Sequence, residues 1–195
     1  MVELAAWHVA MAILLLAEHA ARPFDRERAL HMALVHDVVE ILAGDTFVYD
    51  EANLRAKWDA EHDAADQLFS RLPPDQGERL RELWEDYEAQ QSAEAQFVYA
   101  LDRMLPVLAN AANGGGAWKQ HGVTREQVME KNLPIARFAP ALWAHVEPLI
   151  ASVFAAPGRL PPDVMCEKQL GGWHTLHLLT IRPTRESAFQ VQRLA

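Results

Sequence analysis

His36 and Asp37 stand side by side in the apolar stretch RALHMALVHDVVEILAGD. An ionised carboxylate among apolar neighbours is costly unless it is paired or bound to a metal. Two more residues of the same types occur in apolar segments with helical patterning, His8 in AAWHVAMAILLLAEHA and Asp102 in EAQFVYALDRMLPVLAN. The order H…HD…D supplies two imidazoles and two carboxylates from three separate segments. That mix of nitrogen and oxygen donors suits a divalent ion such as Mn, Fe, Co, Ni or Zn, with positions left open for water and substrate. Mg belongs to the same candidate set.

These residues need helices to position them. Leu4, Trp7, Met11, Leu14 and Leu15 recur at helical spacing. A second helix is predicted to start after Asp25, a favourable N-cap following Pro23, and to run through Ala29, Ala33 and Val38 to about Leu42, where Gly44 ends it. On that helix Glu40 falls three residues past Asp37 and four past His36, on the side of the pair. His36 and Asp37 are about 100° apart around the axis, so both reach one ion lying over the edge between them. His8 and Asp102 would then approach from neighbouring helices, as in metal sites built inside helical bundles.

A loop, DTFVYDEAN, is expected next, then a charged helix over 53–71 with Trp58, Ala65, Leu68 and Phe69 as its apolar side. Pro73 and Pro74 break it. Further helices are predicted over 75–90 and from Ser92 to Ala112, the latter with Pro106 as a kink point after Asp102. NGGGA (113–117) reads as a loop, since no strand precedes it and no GK[ST] follows. Two weaker helices follow near 124–131 and 134–155. From Pro157 the text changes to Pro161-Pro162, Gly171-Gly172 and the run WHTLHLLTI, which has the character of a strand. Residues 1–156 are expected to form one domain and 157–195 an irregular extension.

His8, His36-Asp37 and Asp102 resemble the signature of the HD-domain metal-dependent phosphohydrolases. HDVVEILAGD (36–45) is similar to the HDxxExxxGD element of the 5′-deoxynucleotidase-like branch. LWEDYEAQQSAEAQFVYALDR (83–103) is similar to that branch's W-x-E-Y-E…S-x-E-A-x-F-V…D segment, with Asp86 where Glu is usual. VELAAWH (2–8) keeps a Glu five residues before the first His. The blocks come in the family's order and cover roughly residues 2–150.

The resemblance implies an all-α HD-domain helical bundle that hydrolyses a phosphomonoester, with a deoxyribonucleoside 5′-monophosphate as substrate. It implies His8, His36, Asp37 and Asp102 as metal ligands. An ion there would polarise a phosphoryl oxygen and lower the pKa of a bound water, and Glu40, at one remove, would orient or deprotonate the attacking water. Asp45 matches the family's GD aspartate, implied to contact the sugar or assist the catalytic shell. On spacing alone it reads equally as a turn-forming Asp. Glu88 and Glu94 fall in the family-like block and read as structural. The family is often dimeric, which implies a homodimer. It also carries roughly another helix before its first His, with an Arg/Trp-type element implied to hold the phosphate and pack on the sugar. Seven residues precede His8 in this sequence, so nucleotide specificity is the property that this departure touches. A hydrolase of another small phosphorylated metabolite and a non-catalytic metal- or nucleotide-binding module share the same ligand set.

Bulk properties narrow the partners. The 195 residues are 50% hydrophobic and 23% charged, ordinary for a globular protein. A net charge of −9 disfavours long nucleic acid and is compatible with a small phosphorylated substrate held by a metal. The longest apolar run, Val9 to Ala17, is too short to cross a bilayer, and Glu3 ahead of it makes a poor signal peptide. Cys166 is the single cysteine, which excludes an internal disulfide and fits a reducing cytoplasm. His31, His19, His62, His121 and His145 lack a ligand pattern, and Trp7, Trp58, Trp84 and Phe97 read as core.

Overall fold

The computed structural model describes residues 2–44 and 54–155, together with the backbone of 181–183 and 189–191. Asp45, Cys166, His174, His177 and the domain boundary expected at 156/157 lie outside the described residues. The chain divides into two compact units, 1–102 and 103–195. No helix among the described residues is long and apolar enough to cross a membrane.

In the first unit, α1 spans Val2–Leu16 and passes into a 3₁₀ turn, Ala17–His19. Its sequence is apolar on nearly every side, so periodicity alone misplaces its buried face. Ala6, Val9, Ala12, Ile13 and Leu16 are buried, whereas Trp7, Leu14 and Leu15 are exposed. The second helix, α2 (Arg26–Val35), starts as expected: Asp25 accepts from the amides of Glu27 and Arg28 and so satisfies two of the donors that a helix start leaves open. Its buried residues Ala29, Met32 and Ala33 are small or flexible, and α2 packs on α1.

The predicted single helix to Leu42 is not formed. α2 stops at Val35, His36–Val39 form turns, and α3 covers only Glu40–Ala43. The amides of Val38, Glu40, Ile41 and Leu42 bond three residues back, to Val35, Asp37, Val38 and Val39. The reason lies in a side chain. The carbonyl of Ala33, which an unbroken helix would offer to the Asp37 amide, lies 2.8 Å from His36 Nδ1. Gly44, at φ 84°, ends the segment in a backbone conformation that favours glycine.

α4 (Leu54–Phe69) and α5 (Pro74–Ala89) pack on each other, and α4 also packs on α3. Val35, Val39, Ala64, Ala65, Phe69 and Trp84 form the buried cluster that joins the HD turn to this pair. Gly77 is a close-approach position, where a Cβ would run into the Phe69 carbonyl. Trp58, read from sequence as core, is exposed and lies on the His62 ring with centroids 3.9 Å apart. Gln90 takes a left-handed conformation that ends α5. Ser92 Oγ then accepts from the Ala95 amide at the start of α6 (Ala93–Ala112), which delivers Asp102.

Asp86, shorter than the family's usual Glu, still bridges elements: its Oδ2 accepts from Arg28 and from Ser92, each at 2.8 Å. Glu94 accepts from the Asp25 amide at 2.6 Å, tying the start of α2 to α6.

In the second unit, the glycine run is shorter than the expected loop, because Gly116 and Ala117 already belong to a short helix, α7 (Gly116–Gln120). Asn113 Oδ1 and Asn110 Oδ1 accept from the Gly116 and Ala117 amides. α8 (Arg125–Phe138) begins with a reciprocal capping box between Thr124 and Gln127 and runs through Pro134, where a helix boundary was expected. The break falls instead at Ala139, which precedes Pro140 and is non-helical at φ −146°, ψ 65°. Proline disfavours helical backbone in the residue before it. α9 (Pro140–Ala155) packs on α8, burying Leu142, Val146 and Ile150. In the extension, β1 (Ile181–Pro183) pairs antiparallel with β2 (Phe189–Val191). The strand expected over 173–181 reaches the described residues only at Ile181.

Candidate metal centre

His36, Asp37 and Asp102 meet. One ligand atom from each lies within 4.8 Å of the other two. His36 Nε2 is 3.1 Å from Asp37 Oδ1 and 3.6 Å from Asp102 Oδ1. The 3₁₀-type turn after α2 places the first two, and the middle of α6 supplies the third.

The His36 ring is held at Nδ1. Nδ1 faces the Ala33 carbonyl, which can only accept, so Nδ1 carries the proton and the Nε2 lone pair points at the carboxylates. The residue is 2% exposed, and its Nε2 makes no hydrogen bond among the described residues. A buried polar atom left in this state calls for a cation or a proton between it and the carboxylates. Without an ion, burial works against charge on the ring, but the Asp102 and Asp37 carboxylates outweigh it and raise the His36 pKa above the ordinary 6.5.

Tyr87 of α5 completes the arrangement. Its hydroxyl donates to Asp102 Oδ2 at 3.2 Å. Its ring meets His36 edge-on, with centroids 4.9 Å apart. This leaves Asp102 Oδ1 toward His36 and holds Oδ2 from behind, the usual second contact of a ligating carboxylate.

His8 comes from α1, which packs on α2. It is half-buried and lies beside the Trp7 ring, and burial lowers its pKa. It is not part of the three-residue set that closes within 4.8 Å. Glu40 follows one turn after Asp37, its amide bonded to the Asp37 carbonyl at 3.0 Å. Its carboxylate is largely buried and faces Lys57 of α4 at 3.4 Å. Lys57 also meets Glu61 at 3.1 Å. Neither Lys57 nor Glu61 stood out in the sequence, where they form one more charged i,i+4 pair on a charged helix.

A profile of the HD domain matches residues 6–143, and the chain belongs to the HD-domain family. A crystal structure of a predicted metal-dependent phosphohydrolase from Magnetospirillum magnetotacticum MS-1 superposes with a TM-score of 0.75 at 42% identity, covering 79% of this chain and 77% of that one. Among curated proteins, 5'-deoxynucleotidase HDDC2 of Bos taurus is 40% identical over 98 residues, 50% of this chain and 46% of that protein. The Homo sapiens protein of the same name is 40% identical over 84 residues, 43% of this chain and 41% of that protein. The matched stretch thus spans less than half the length of these curated relatives.

Proposed function

We propose that this protein is a metal-dependent phosphohydrolase that releases inorganic phosphate from deoxyribonucleoside 5′-monophosphates. The observation that carries the reading is the buried Nε2 of His36, without a hydrogen bond among the described residues, directed at the Asp37 and Asp102 carboxylates. The relatives named as 5'-deoxynucleotidases support the choice of substrate.

His36, Asp37 and Asp102, joined by His8, would hold a divalent ion (Mn, Co, Fe, Ni, Zn or Mg). Two imidazoles and two carboxylates fit such an ion while leaving positions for water and a phosphoryl oxygen. When bound, the ion supplies Lewis acidity and a more acidic water. The rest falls to the chain. Burial keeps His8 neutral, the form that ligates. The Ala33 carbonyl fixes the His36 tautomer. Tyr87 fixes Asp102. Glu40 takes the proton of the attacking water as its oxygen bonds to phosphorus, the ester bond to the sugar oxygen breaks, and that oxygen takes up a proton, from Glu40 or from solvent, to leave as the 5′-hydroxyl. Asp45 is assigned to the sugar or the catalytic shell. A catalytic domain over 1–156, a homodimer and a cytoplasmic location belong to the same reading. The net charge of −9 supports a small substrate over long nucleic acid.

The test is phosphate release from 5′-ribo- and deoxyribonucleotides with Mn, Co, Mg or chelator, using wild type and Glu40→Ala. Metal-dependent turnover of deoxynucleotides, lost in Glu40→Ala, is the expected result. Turnover of other phosphomonoesters alone would move the substrate. No turnover in a protein that binds metal would replace the enzyme with a binding module.

A further inference from the structure

We propose that Lys57 is a positioning residue: held by the buried carboxylate of Glu61, its ammonium fixes the Glu40 carboxylate for work on the attacking water. The inference rests on the phosphohydrolase reading above and adds to it a connection from α4.

Three observations lead there. Glu61 is only 7% exposed, and its ion-pair partner among the described residues is Lys57, four residues earlier on α4. Burying a carboxylate beside a single cation is poor value for stability, because desolvation offsets the attraction. The order is also the less stabilising one for a helix, since Glu ahead of Lys is the better i,i+4 arrangement. The pair is therefore better explained by where it directs the ammonium than by what it does for α4.

The ammonium points to Glu40. Nζ lies 3.1 Å from Glu61 Oε1 and 3.4 Å from Glu40 Oε1, so one charge spans α4 and the first residue of α3. Burial opposes charge on Lys57, yet Glu61 and Glu40 outweigh it and raise its pKa, so the ammonium stays charged. Glu88 adds a further carboxylate to the same neighbourhood as Lys57 and Glu61. An ammonium held by one carboxylate restrains a second more firmly than a free lysine would. A general base loses rate steeply when it is misplaced, about 100-fold for a shift near 1 Å.

Two measurements test this, one without turnover. In metal-free protein, the acetylation rate of Lys57 is followed by mass spectrometry with Lys119 and Lys131 as internal references. Glu40→Gln and Glu61→Gln should each raise the Lys57 rate at least about threefold, as expected when an ion pair is lost. An unchanged rate in Glu40→Gln overturns the pairing.

In the phosphate-release assay, Lys57→Met should lower kcat by about 10–100-fold while KM stays within about twofold, as for a group that acts on the transition state alone. Lys57→Arg should recover part of kcat, and it carries the test if the Met variant fails to fold. Adding Lys57→Met to Glu40→Gln should cost nothing further, and metal affinity should be unchanged. A raised KM with intact kcat would place Lys57 on the substrate instead, and an additive loss would separate it from Glu40. If wild type hydrolyses no phosphomonoester, the functional reading fails, and the acetylation arm still decides whether Lys57 holds Glu40.

Discussion

The Tyr87 hydroxyl lies 3.2 Å from Asp102 Oδ2, and the same ring packs edge-on against His36, so one side chain steadies two of the three clustered donors. Tyr87 is buried on α5, Asp102 lies on α6, and His36 follows α2. The ring and the hydroxyl do separable work. The ring fills space against the imidazole, and the hydroxyl orients a carboxylate.

Tyr87→Phe keeps the ring and removes the hydroxyl. Partners of ligating groups are worth roughly 10–100-fold in metal affinity, so Mn affinity measured by calorimetry should fall by about tenfold or more. The metal-free protein should lose about 1.5–3 kcal/mol, the range for a hydrogen bond to a charged acceptor. Unchanged affinity would show that Asp102 is held without Tyr87.

Much of this site was legible before the fold. His36 and Asp37 announce themselves as polar residues in apolar text, and Asp102 as the acid of a third apolar segment; the three do converge. The helix start at Asp25 and the end at Gly44 are local chemistry and fall where they were expected. The turn at His36–Val39 was not legible, because it depends on which carbonyl the imidazole faces, and hydrophobic spacing carries no trace of that choice. The polar contacts of Tyr87, Lys57 and Glu61 were missed for a related reason. Tyr87 and Lys57 meet Asp102 and Glu40 across elements, 15 and 17 residues away, whereas Lys57 and Glu61 read as one more i,i+4 pair on an ordinary helix face. On α1, uniform apolarity removed the contrast that periodicity needs, so Trp7 was assigned to the core although it is exposed.

In the second unit, Gly115 and Gly114 separate two costs of adding a side chain. Both have positive φ, 85° and 70°. A Cβ at Gly115 would lie 2.6 Å from Val153 Cγ1, whereas nothing stands within 4 Å of one at Gly114. Gly114→Ala should cost the left-handed backbone penalty of roughly 1–2 kcal/mol. Gly115→Ala should add an overpacking cost of roughly 1–3 kcal/mol, which Val153→Ala relieves. Urea midpoints of the two single variants and the Gly115→Ala/Val153→Ala pair measure this. Equal losses at the two glycines would mean that Val153 yields at little cost.

The pH dependence of the metal-free protein should carry the signature of His36. Its pKa is raised above the ordinary 6.5: burial lowers it, and the Asp102 and Asp37 carboxylates outweigh that. A group whose folded value is raised binds its proton more tightly in the folded state than in the unfolded one. Its contribution to stability is therefore complete below about 6.5. It declines as pH rises above that point and is lost once pH passes the folded value. His8, whose pKa is lowered by burial, acts with the opposite sign, so the comparison must be wild type against His36→Gln in chelator. The difference in urea midpoint between them should be largest below about pH 6.5 and shrink as pH is raised above it. Mn reverses the trend for wild type, because the ion needs the unprotonated Nε2 and displaces the proton, so Mn affinity should climb over the same interval. A wild-type advantage that stays flat with pH in chelator would mean that the two carboxylates do not share a proton with His36, and the case for a cation at that point would lose its electrostatic support.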